Sequence, residues 1–122
     1  MNQAGEGFRF RRKEHLKKGK DIQRVFRQGR AVSCPGAKLF VIRSGLPGNR
    51  IAFTFARKFG NAAERNRARR LSREVYRLAR NSLEPGFDLV LLLYPGGDSF
   101  AKRTEQLGIL FRKAALLREE SR

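Results

Sequence analysis

Arg57-Lys58-Phe59-Gly60-Asn61-Ala62-Ala63-Glu64-Arg65-Asn66-Arg67-Ala68-Arg69-Arg70 is the stretch on which the fold turns. Asn61 stands three residues before Glu64, the spacing of a helix N-cap and its capping-box partner. At about 100° per residue, Ala68, Leu71, Val75, Leu78 and Ala79 fall on one side, and Arg65, Arg69, Arg70, Arg73, Arg77 and Arg80 on the other. Residues 62–80 therefore predict an amphipathic helix with an arginine face.

Upstream, Arg50 to Arg57 alternates, with Ile51, Phe53 and Phe55 on one face and Ala52, Thr54 and Ala56 on the other. The bulky face is expected to meet the core. Before it, Ala31–Ser33 and Lys38–Arg43 predict strands broken at Cys34-Pro35-Gly36. Ile22, Val25 and Phe26 give a short helix ending near Gly29. Downstream, the apolar run Asp88–Tyr94 is expected to be a central strand, and Leu107, Leu110, Phe111, Ala114 and Leu117 a last helix. The order αβββαβα predicts a single α+β domain, one mainly antiparallel four-stranded sheet packed with three helices. Residues 1–18 are expected to be a basic flexible N-terminal arm, 19–118 the single α+β domain and 119–122 a C-terminal tail.

The 122 residues carry 28 Lys and Arg against 11 Asp and Glu, a net charge of +17 that calls for a polyanionic partner. From Arg57 to Arg80 the cations are opposed only by Glu64 and Glu74, whereas an ordinary solvated helix face mixes signs. A helix N-terminus already favours phosphate, and arginine forks fit its oxygens. Nucleic acid is the expected partner, and RNA rather than DNA, because Asn66 is thin provision for reading base edges. No membrane partner is expected: the longest apolar run, Leu89–Tyr94, is too short to span a bilayer. A cytoplasmic location follows as the default.

One cysteine, Cys34, and one histidine, His15, exclude an intrachain disulfide and the usual zinc sites. The carboxylates Asp21, Glu64, Glu74, Glu84, Asp88 and Glu105 are scattered, so no catalytic residue and no metal site is expected in the chain itself. Asp88 and Asp98 are assigned to turns or caps. A second candidate surface is the sheet face with Ala52, Thr54 and Ala56, beside Phe40 and Ile42 and across from Ile22 and Phe26 of the first helix. Small floor residues and apolar neighbours suit an extended single strand. Core packing explains Ile22 and Phe26 equally well.

Lys58-Phe59-Gly60-Asn61-Ala62 followed by Arg65-Asn66-Arg67 and Arg69-Arg70-Leu71 resembles the RNR signature of the protein component of bacterial ribonuclease P. Asp21–Phe26 with Gly29, Arg50–Ala56, Asp88–Tyr94 and Leu110–Ala114 extend the resemblance over nearly the whole chain. It implies a left-handed βαβ crossover, against the general right-handed rule. It also implies that Arg57, Lys58, Asn61, Arg65, Asn66, Arg67, Arg69, Arg70 and Arg73 contact the catalytic RNA, which performs the Mg2+-assisted hydrolysis. The 5′ leader of precursor tRNA would lie on Ile22, Phe26, Phe40, Ile42 and Thr54, with the protein a monomer in a 1:1 complex with the RNA. The family often has an aromatic where this chain has Ile22 and Ile42, which implies less stacking on the leader here. The other reading is a structural RNA-binding protein of ribosomal type.

Overall fold

Alternation along the strands assigns the two faces of the sheet, and each face recruits its own helices. The computed structural model describes residues 12–96 and 98–118. In order these form α1 (Gly19–Gln28), β1 (Arg30–Cys34), β2 (Ala37–Arg43), β3 (Arg50–Phe55), α2 (Ala62–Ala79), β4 (Phe87–Leu93) and α3 (Phe100–Lys113), with 3-10 turns at Arg12–Glu14 and Arg80–Ser82. The sheet order is β1-β2-β4-β3. β1–β2 and β2–β4 are antiparallel, while β3 and β4, joined through α2, are parallel. This is the expected α+β architecture, and the apolar run of β4 lies at an inner position, nearly all of it buried.

Leu39, Val41, Ile51, Leu89, Leu91 and Leu93 form the main core with Val75, Tyr76, Leu107, Leu110 and Phe111 of α2 and α3. The opposite face carries a smaller cluster of Leu16, Val25, Ala52 and Val90, against which Ile22, Phe26, Phe40 and Ile42 pack. Two helices cover one face, and the short α1 packs on β2 and β4 of the other. That asymmetry leaves Phe40, Ile42 and Thr54 only half-buried beside α1.

Three local expectations change. The arm expected over residues 1–18 ends sooner, since Glu14 and Leu16 are buried and Leu16 N donates to Ile51 O at 3.0 Å. Its earlier part, residues 1–11, lies outside the described residues, as does the tail 119–122. Arg80 leaves the arginine face: it is buried, with Nη1 at 2.8 and 2.7 Å from the two carboxylate oxygens of Glu14. Asp88 is no turn residue. It is fully buried in β4 and receives Arg50 Nε at 2.9 Å, Arg50 Nη2 at 2.7 Å and Arg24 Nη2 at 3.3 Å. A carboxylate can be buried there because these cations replace its lost hydration.

Candidate RNA interface

The loop entering α2 is fixed from below, which presents its cations outward. Phe59 is buried, its ring 4.9 Å from that of Phe55 at 62°, so the flanking Arg57 and Lys58 are left exposed. Lys58 has φ +62°, a left-handed backbone rare outside glycine and commonest at functional turns. The capping box foreseen from the spacing is present: Glu64 N donates to Asn61 Oδ1 and Asn61 N to Glu64 Oε1, both at 2.8 Å. Gly60 makes it possible, since a Cβ there would stand 2.2 Å from Glu64 Oε1 and its φ is +153°. Gly60→Ala is accordingly expected to expel the Glu64 side chain and lower stability by about 1 to 2 kcal/mol, the range of a lost cap. Urea denaturation checks this, and an unchanged midpoint would contradict it.

The signature residues divide by task. Arg65 Nη1 donates to Gly60 O and so braces the loop. Arg69 Nη1 donates to Asn66 Oδ1 at 2.8 Å, and its guanidinium lies 5.1 Å from the Phe55 ring centre. Arg67 Nη2 reaches Asp98 O at 3.3 Å. Arg57, Lys58, Asn61, Asn66, Arg67 and Arg70 are exposed, and Arg65, Arg69 and Arg73 half-buried. The structure thus gathers all nine residues on the first three turns of α2 and the loop before it. Arg77 is occupied by Glu74 at 2.5 Å. The cationic face is therefore concentrated at the N-terminal end of the helix, where the dipole also favours an anion. His15, bridged to Ile51, adjoins this surface: burial and then the charges of Lys17 and Arg73 hold its imidazole below the usual histidine range.

On the other face, Phe26 meets Phe40 edge-on at 4.8 Å and 76°. Ile22, Phe26, Phe40, Ile42 and Thr54 are all half-buried, so Ile22 and Phe26 of α1 pack on the small cluster while keeping part of their surface exposed. Thr54 Oγ1 donates to Leu91 O at 2.9 Å, so its hydroxyl is already engaged by the sheet. The Asp88 cluster, with Asp21 at 4.0 Å from Arg50, sits where α1 crosses the sheet.

Sequence reasoning missed Arg103, which is fully buried in α3 and donates to Gln106 Oε1 at 2.9 Å and Asp98 Oδ1 at 2.6 Å. Gln106 Nε2 in turn donates to Pro35 O at 3.1 Å. The network ties the β1–β2 turn to the β4–α3 loop that Arg67 touches. A lone arginine on a helix gives no signal that it is buried.

Residues 10–115 match the family model described as Ribonuclease P. The chain belongs to the ribonuclease P protein family. It is 36% identical over 117 residues to the ribonuclease P protein component of Dictyoglomus thermophilum, covering 93% of this chain and 98% of that one. The component from Natranaerobius thermophilus is 44% identical over 77 residues, 63% of this chain and 67% of the relative. The solved RNase P protein from Thermotoga maritima superposes with a TM-score of 0.73 at 25% identity, over 81% of this chain and 96% of that one. A ribonuclease P protein component is the protein part of a ribonucleoprotein that processes tRNA, and an RNA partner follows from membership.

Proposed function

We propose that this ribonuclease P protein grips two RNAs with two faces. The N-terminal end of α2 and the Arg57–Gly60 loop dock on the catalytic RNA, and the half-open cleft between α1 and the sheet holds the 5′ leader of precursor tRNA. Hydrolysis belongs to the RNA, with the protein supplying position and charge, as one protein per RNA in the cytoplasm. The observation that carries this reading is the concentration of exposed arginines around a capped helix N-terminus. Among the described residues no group of three or more His, Cys, Asp or Glu side chains could hold a metal ion. In this reading the Mg2+ of the holoenzyme serves the hydrolysis carried out by the RNA.

The test is the salt dependence of affinity for the catalytic RNA. With about five phosphates neutralised, log K is expected to fall with log salt at a slope of about −3.5 to −4.5. A slope near zero would remove the arginine face from the interface.

A further inference from the structure

The cleft does not end at Phe40. Beyond the row formed by Ala52 of β3, Val90 of β4 and Phe40 of β2, the next row on the same face is Thr54, Leu92 and Lys38. β4 stops being a strand at Leu93, yet its pairing continues one step: Ala56 N donates to Leu93 O at 2.9 Å and Tyr94 N to Gly36 O at 3.1 Å. By the two-residue period Tyr94 falls on the cleft side, with Gly36 and Ala56 as its lateral neighbours. Neither neighbour has a side chain large enough to cover a ring, and Tyr94 is 38% exposed. From Val90 to Tyr94 the strand advances about 13 Å, four residues at the usual rise. The path leads from the Phe26–Phe40 pair to Ala56, the residue before Arg57 and Lys58. Lys38 flanks it, its Nζ 5.6 Å from the Phe40 ring centre.

We propose that Tyr94 is a base-stacking residue for the leader strand, placed between the α1 cleft and the cationic loop before α2. The proposal rests on the leader reading above. It deepens that reading by assigning the stacking to a ring outside α1 and β2, in a chain whose α1 offers Ile22 at one of the cleft positions. An exposed ring beside glycine and alanine offers its face to any base, with phosphates on either side in reach of Lys38 and the Arg57–Lys58 loop.

The experiment compares Tyr94→Ala, Tyr94→Leu and Tyr94→Phe in the holoenzyme reconstituted with ribonuclease P RNA, measuring Kd for a long-leader precursor and for mature tRNA. Leucine keeps apolar bulk without a π face, so a merely structural role would spare it. Tyr94→Ala and Tyr94→Leu are expected to weaken precursor binding by about 5- to 100-fold and leave mature tRNA binding unchanged, with Tyr94→Phe like the parent. Unchanged precursor affinity in the Ala and Leu variants, or equal loss for both RNAs, would overturn the stacking role while leaving the cleft reading in place. A parent holoenzyme that binds the two RNAs equally would overturn the leader reading itself, and the stacking role with it.

Discussion

Arg80→Met is expected to lower the unfolding free energy by about 3 to 5 kcal/mol, because it removes a bidentate cationic partner from a carboxylate held inside the protein. The Arg80 and Glu14 side chains keep only 6% and 9% of their exposure, and the contact joins residues 66 apart in sequence. The pair fastens the segment before α1 to the end of α2, which in turn keeps Leu16 under the sheet. Replacing both partners, Glu14→Leu with Arg80→Met, is expected to recover much of the loss, since neither charge of the pair then remains buried. Urea denaturation of the single and double variants decides it. A single variant within about 1 kcal/mol of the parent would show that the pair does not fasten the segment.

Phe26→Ala and Arg67→Ala are expected to fail in different ways. Arg67 is exposed and has one long contact to a backbone carbonyl, so its truncation should leave folding intact. It should weaken assembly with the catalytic RNA by about 1 to 3 kcal/mol whatever the substrate. Arg65→Ala differs from it in also losing the brace to Gly60 O, so its melting temperature should fall as well. Phe26 sits half-buried against Phe40 and the Val25–Ala52–Val90 cluster, and removing its ring costs about 3 kcal/mol of stability or more. Under conditions where the variant remains folded, it should lose about 1 to 3 kcal/mol of affinity for a long-leader precursor and little for mature tRNA. Melting and binding are measured together on each variant. Equal losses of Phe26→Ala for both RNAs would remove that ring from the leader cleft.

Local periodicity made most of this legible. The alternation of Arg50–Phe55 and the Asn61–Glu64 spacing depend on residues a few positions apart, and the structure keeps both, with Ile51, Phe53 and Phe55 on the main core and Ala52 on the small cluster. What the sequence hid depends on partners far along the chain. Arg80 projects onto the arginine face of an ideal helix, but the backbone tightens into a 3-10 turn there and Glu14 arrives from the start of the chain. Leu78 falls on the apolar side by the same projection, yet it is 58% exposed, while Ser72 and Tyr76 are buried. A wheel of even spacing cannot foresee which stripe α3 will cover. Asp88, two residues after Pro85-Gly86 and at the head of an apolar run, has the local context of a turn or cap residue. Only the approach of Arg24 from α1 and Arg50 from β3 makes its burial possible.

The central claim is that this chain assists cleavage without performing it, and reconstitution tests that most directly. Precursor tRNA is incubated with the protein alone, with ribonuclease P RNA alone, and with both, at low and moderate Mg2+. Cleavage at the mature 5′ end is expected wherever the RNA can act, with the protein extending it to low Mg2+ and adding nothing without the RNA. Cleavage at that site by RNA-free protein would contradict the account.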